Sequence, residues 1–294
     1  ANNTSLGLQS LYSNTTASFN TAVGYQAGYS NTTGTENVAL GHKTLRLNTE
    51  GREIVAIGER ALERNTTASY NTAVGRSSMI FNTTGANNTA IGHASLYSNT
   101  TASNNTAVGY GALLDNTEGT RLTSIGRSAL ANNTTGSNNT AVGMVSLGDN
   151  STGSNNVAVG DQALTANTTA SQNTAVGYQA GYTNTVSGDN TYIGYQAGYY
   201  RTGSGNTIVG QYAGRDGTTG TDNTLIGRNS GYQITTGSKN TILGMYNGNA
   251  GGLDIRTSSN HIVLSDGDGN PRAYFVANGD FYCPRVYAQT TGTG

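Results

Sequence analysis

The side chains that could engage a ligand recur at fixed places. Tyr25, Tyr110, Tyr178 and Tyr195 each directly follow a glycine, in the form Val/Ile-Gly-Tyr. Tyr182 and Tyr199 stand four residues beyond Tyr178 and Tyr195, with Gln179 and Gln196 between them. Aromatic rings beside amides suit carbohydrate contact, because rings pack on sugar C–H groups while amides both donate to and accept from hydroxyls. These six tyrosines are the candidate glycan or receptor contacts. The same rings could instead pack on the core or on a neighbouring copy, and the residues alone leave both open. Asn14, Asn31, Asn65, Asn82, Asn99 and Asn167 each open an Asn-Thr-Thr phrase, the acceptor pattern for N-linked glycosylation. Turn chemistry asks for the same residues. His42 and His93 share one position and read as surface residues. Asp266, Asp268 and Asn270 carry part of a calcium-loop pattern and read better as a polar hairpin turn. Thr16/Ser18, Thr33/Thr35, Thr67/Ser69 and Thr101/Ser103 could form a file on an ice-binding face, which Glu50 and Glu118 would interrupt. No hydroxyl or thiol pairs with a base. The chain therefore reads as non-enzymatic, with no catalytic residue, cofactor or metal expected.

What places these residues is a repeat. A glycine recurs from Gly7 to Gly244 in fifteen copies at a 17-residue step, broken once by a 16-residue step between Gly194 and Gly210. The unit reads Asn-Thr-Ala-Val-Gly-x-x-Ala-Leu-x-x-Asn-Thr-Thr-Gly-Ser-x. The residue before the glycine is aliphatic in every copy. Alternation over so short a span predicts a half-buried strand, and the glycine predicts a corner or a close backbone approach. Four residues later stands Leu or Met (Leu62, Met79, Leu96), or a Gly followed by Tyr (Tyr29, Tyr182, Tyr199), which predicts a ring filling the volume of the leucine. Seventeen residues are too few for a helical hairpin and suit one coil of a β-solenoid or β-roll, with two short strands and two turns per coil. Coils stacked at the strand spacing of roughly 4.8 Å give a rod of about 70 Å and set like side chains in ladders, the opening Asn above all.

Residues 1–248 form the repeat region on this reading, with a change of subtype near 185–200, and 249–294 form a non-repetitive β-hairpin region. In the last four repeats Tyr192, Ile208, Leu225 and Ile242 replace the alanine of the strand, which predicts a stiffer or capped end. Ile54 and Leu122 replace the opening Asn just after the altered turns that carry Glu50/Arg52 and Glu118/Arg121, which predicts ion pairs at a subunit boundary there. Asn278-Gly279 is a hairpin signal. The net charge of −1, with 15 Lys+Arg against 16 Asp+Glu, excludes a generic basic nucleic-acid binder. No apolar run approaches the ~20 residues of a membrane span. One cysteine excludes a disulfide framework within the chain. The opening Ala1-Asn2-Asn3-Thr4 shows no signal peptide. The thin core of each coil favours association, with Val and Ile turned into the coil and the alanine between them packed near a symmetry axis.

The Asn-Thr-Ala-Val-Gly and Asn-Val-Ala-Val-Gly units, the latter at Asn156 to Gly160, resemble the head repeats of trimeric autotransporter adhesins, which form parallel β-rolls in trimers. The longer phrase Asn-Thr-Ala-Val-Gly-Tyr-Gln-Ala-Gly-Tyr, at 20–29 and 173–182, is more similar still to repeats of bacteriophage tail fibres, many of which end in a self-cleaving intramolecular chaperone. The likeness covers about residues 1–250. It implies an all-β parallel homotrimer and an extracellular site on a virion tail fibre or a cell-surface appendage. The implied function is a structural fibre or stalk that attaches to a glycan or protein receptor on a host surface. A bacterial adhesin or an end-to-end filament is the alternative, and an ice-binding solenoid is a third. After Thr290-Thr291-Gly292-Thr293-Gly294 a chaperone would have been cleaved, truncated or absent.

Overall fold

The protein is seen here as a computed structural model that describes residues 2–283. It is an all-β solenoid, with no helix among the described residues. Fifteen three-residue strands recur once per coil, β1 (Thr4–Leu6), β2 (Thr21–Val23) and onward to β15 (Thr241–Leu243). Each pairs parallel and in register with the next, so that Thr72 lies on Thr89, Ala73 on Ala90 and Val74 on Ile91. There is one strand per coil where two were expected. The rest of each coil is turn, yet its backbone still bonds from coil to coil. Arg60 N–H donates to the His42 carbonyl at 2.9 Å, Leu62 N–H to Ser78 at 3.0 Å and Thr66 N–H to Thr83 at 3.1 Å. Gly75 lies directly on Gly92. Its φ is +133°, and a Cβ there would sit 2.5 Å from the Gly92 carbonyl oxygen. Only glycine meets both conditions, which explains its recurrence.

Two asparagine ladders run through the interior. In the first, the side chain of Asn71 takes the Asn88 backbone N–H at 2.9 Å and donates Nδ2 to the Gly85 carbonyl at 2.8 Å. In the second, Asn99 donates to Asn82 Oδ1 at 2.8 Å and to the Ala102 carbonyl at 3.0 Å, and accepts from Asn116 at 3.2 Å. Ile54 and Leu122 leave the first ladder but remain inside, fully buried in the hydrophobic core. The second ladder ends at Arg201, also fully buried, whose guanidinium reaches across the next coils to the carbonyls of Gly220 (3.0 Å) and Ile234 (3.2 Å). Gly217 makes room, since a Cβ there would collide with that guanidinium. Burial pushes the Arg201 pKa down to about 10.

The two faces of each strand are the reverse of the expectation. The alanine is inside: Ala73, Ala90 and Ala107 have no exposed surface, and Ala22 and Ala39 are buried as well. The flanking Thr and Val or Ile point outward; Ile57, Ile91 and Ile125 keep 36%, 41% and 40% of their surface. The interior is narrow, and Leu62, Leu96 and Leu113 already fill it from the opposite wall, which leaves room for only a methyl group on the strand. The second correction concerns the tyrosines. Tyr29, Tyr182 and Tyr199 do not take the leucine's place, because they lie half-buried on the outer surface. The compensation comes from the strand. Where Gly181 and Gly198 replace leucine, the ring of Tyr192 occupies the space, and a Cβ at Gly198 would collide with it. Ile208 and Leu225 do the same against Gly214 and Gly231. The change of subtype near 185–200 is thus an exchange of volume between two walls of one core.

The coil stacking does not end at residue 248. After β15 the chain inserts the small antiparallel pair β16 (Asn249–Ala250) and β17 (Leu253–Asp254), then adds β18 (Ile262–Ser265) parallel on β15. Thr241 lies on Ile262, a step of 21 residues, so this is a sixteenth rung carrying a four-residue insertion. The first ladder continues into it, with His261 N–H on Asn240 Oδ1 at 3.0 Å. The expected hairpins follow: β19 (Pro271–Phe275) runs antiparallel on β18, and β20 (Phe281–Tyr282) antiparallel on β19. Residues 284–294 of the predicted C-terminal region, with the Thr290 to Gly294 terminus, lie outside the described residues.

Candidate functional site

Three outward surfaces carry the chemistry. The first is the strand face. The outward aliphatic column runs from Leu6 through Val74, Ile91 and Ile125 to Leu243, and continues at Leu264 on the sixteenth rung. A Thr or Val column lies beside it, and no charged residue stands on the strands β1 to β15 that form it. Scattered exposed aliphatics are ordinary on a protein surface, but a continuous uncharged stripe marks an interaction site.

The second surface holds the predicted tyrosines, on the turns that follow each glycine. Tyr178 stacks on Tyr195 at 5.2 Å, and Tyr182 on Tyr199 at 5.0 Å with 9° between the rings. Tyr25 stacks on His42 at 5.4 Å and Tyr110 on His93 at 5.3 Å. Between the tyrosine columns runs a ladder of glutamines, Gln196 donating to Gln179 and Gln179 to Gln162, each at 2.7 Å. Stacked rings cover one another's faces. A column therefore offers edges and hydroxyls along its length and a free face only at its ends. The fixed period stacks these rings as like on like, and sequence reasoning missed Arg215, whose guanidinium carbon lies 5.6–5.9 Å from the ring centroids of Tyr199, Tyr200, Tyr212 and Tyr232. The signal was there in the repeat register, since Arg215 follows Gly214 as Tyr199 follows Gly198.

An ion triad occupies the same face nearer the N-terminus. Glu63 Oε1 takes Arg46 Nε at 2.9 Å, and its Oε2 takes Arg60 Nε at 2.5 Å. Burial alone would raise the Glu63 carboxyl. The hydrogen bonds from Arg60 and Arg46 outweigh it and hold the pKa below the usual carboxylate value.

The third surface is the Asn-Thr-Thr turn. Here the asparagines of the glycosylation pattern occupy the structural positions that turn chemistry asks for. Asn31, Asn65, Asn82, Asn99 and Asn167 are buried, and each Nδ2 bonds within the second ladder. Asn14, on the first coil, is half-buried and donates to the Ala17 carbonyl at 3.2 Å. A glycan on any of these nitrogens would replace a ladder bond inside the coil. The threonines after Asn14, Asn31, Asn65, Asn82 and Asn167 are likewise engaged, as with Thr83 Oγ1 on the Thr100 carbonyl at 3.0 Å. Thr33, Thr67 and Thr101 are exposed, but Ser69 and Ser103 of the same file take backbone N–H groups from the adjacent coil at 3.1 and 3.0 Å.

Among the described residues no three His, Cys, Asp or Glu side chains group so as to hold a metal ion. Asp266 instead closes its own turn, taking the N–H groups of Asn270 and Asp268 and pairing with Arg272. The Asn270 N–H is the largest of the influences that push its pKa down to about 2. Comparison with known proteins finds no matching family model, no matching curated protein and no matching solved structure.

Proposed function

We propose that this chain is the shaft of an extracellular fibre, a viral tail fibre, in which three parallel copies associate through their strand faces and present the turn faces to a host surface. The observation that carries this reading is the outward aliphatic column, in register on every rung and free of charge along the rod. Each Ile or Val in it keeps enough exposed surface to contribute about 0.5–1 kcal/mol on burial. Repeated over fifteen rungs, that is on the order of 10 kcal/mol per chain, comparable to the ~4–15 kcal/mol cost of association. A parallel, in-register column matches identical columns of other copies around a common axis. The resemblance of residues 20–29 and 173–182 to tail-fibre repeats supplies the setting, and the tyrosine and amide columns supply a surface for attachment.

Negative-stain microscopy and adsorption to bacterial cells test the reading together. Discrete rods of about 70 Å or a little more, with saturable adsorption of labelled protein to a susceptible cell type, are expected. Rods that grow end to end without limit would favour the filament. Single-chain particles that adsorb to no cell would contradict the fibre reading.

A further inference from the structure

The turn face changes toward the end of the array. Eight of the chain's 18 tyrosines lie from Tyr178 to Tyr232, and all of these but the buried Tyr192 stand outside the strands. Arg215, set among four of them, donates Nη1 to the Tyr232 hydroxyl at 2.5 Å and to Asp216 Oδ1 at 3.3 Å. Its charge is thus matched by Asp216, and it fixes the Tyr232 hydroxyl. Beyond Tyr232 opens a cavity of about 240 Å³ lined by Asn229, Tyr232, Gln233 and Asn247. All four are half-buried. Gln233 N–H donates to the Asn247 carbonyl at 2.8 Å, which locks the two coils that form the walls. Asn247 Oδ1 takes the Asn249 N–H at 2.9 Å, which orients that amide. Tyr232 also differs from the stacked tyrosines. Tyr212 meets it at 78° and 6.5 Å, so no parallel ring covers its face.

The lining is one phenol ring and three primary amides, with no formal charge. We propose that this cavity binds a single neutral pyranose unit of a surface polysaccharide. The ring of Tyr232 packs on the sugar's C–H face. The amides of Asn229, Gln233 and Asn247, which both donate and accept, meet hydroxyls that do the same. Concave sites of this kind gain their affinity from apolar contact and their selectivity from a few fixed polar groups. An anionic sugar would find no unmatched cation on these walls. The size of the cavity suits one ring. The inference deepens the attachment reading above and rests on it.

Saturation-transfer NMR on the intact chain tests it, with methyl α-glucopyranoside, methyl α-mannopyranoside and methyl β-galactopyranoside as probes and glucuronic acid as the charged comparison. Transfer to at least one neutral glycoside is expected. Tyr232→Ala and Gln233→Ala should each weaken binding about fivefold or more, while Tyr70→Ala, at an exposed ring outside the candidate contacts, leaves it unchanged. Circular dichroism of each variant controls for folding, and Gln233→Ala removes no core packing. No transfer to any neutral glycoside, equal binding by all variants, or tighter binding of glucuronic acid would each overturn the assignment. Light scattering on the same samples keeps the two readings apart. An assembled fibre that binds no sugar sinks this site alone, whereas a monomer that binds sugar sinks the fibre alone.

Discussion

At the scale of single residues, the buried amides and the buried carboxylate make separable predictions. Asn99→Ala removes two donated bonds and one accepted bond from the interior, and leaves buried partners unmatched. It should lower stability by about 2–4 kcal/mol in chemical denaturation. Thr101→Ala destroys the same Asn-Thr-Thr acceptor pattern from an exposed position and should change stability by less than about 0.5 kcal/mol. The pair separates the structural asparagine from any effect of modification. Glu63 has its folded pKa lowered by Arg60 and Arg46 against the opposing effect of burial. Its contribution is therefore fully present above the unfolded carboxylate pKa of about 4.3, and is lost as pH falls through the folded value. Glu63→Gln should cost about 1 kcal/mol at pH 7, a figure discounted because both arginines are partly exposed. Melting curves of the two proteins should converge at the acid end. A gap that stayed constant with pH would mean that packing rather than charge is at work.

At the scale of the coil, bulk missing from one wall is supplied from the other wall or from the neighbouring coil, as the ring of Tyr192 does for both Gly181 and Gly198. Tyr192→Ala leaves a hole and Gly198→Leu adds a clash, each costing about 3 kcal/mol or more. Together they recreate the alanine–leucine pair of the earlier coils, and Leu already tolerates that backbone, as at Leu164 with φ +50°. The double variant should recover at least about 2 kcal/mol of the summed loss in a denaturation cycle. Additive losses would refute the exchange. This is also where reading the sequence succeeded and failed. The recurring glycine and the Thr-Ala-Val alternation made the coil, its length and its register legible. Alternation says which residues share a face but not which face is inside. Hydrophobicity pointed Val and Ile inward, whereas the narrow interior admits only alanine opposite leucine. Tyr182 and Tyr199 were placed in the leucine's volume for the same reason: the sequence shows how much bulk a coil carries but not which wall carries it. The sixteenth rung escaped notice because its four inserted residues stretch the step from Thr241 to Ile262. The tyrosine columns were legible because a fixed period stacks like on like, but the Tyr232 cavity was not, since Asn247 reaches it only through that irregular rung.

At the scale of the molecule, inverting the strand face strengthens the case for assembly. With alanine inside and Val or Ile outside, the rod carries an uncharged aliphatic stripe that stays open to solvent among the described residues. The stripe also explains a composition that is otherwise odd for a 294-residue chain. Aliphatic side chains that a single-chain core would use are placed on the outside in every coil. The most direct test is the solution mass of the native chain beside an Ile91→Asp/Ile125→Asp variant, measured by light scattering at equal concentration. A mass near three times 30.3 kDa for the native chain, falling to one chain in the variant with its β-sheet circular dichroism intact, is the predicted result. A native chain that stays at 30.3 kDa in dilute solution, or a variant that assembles as the native chain does, would contradict it.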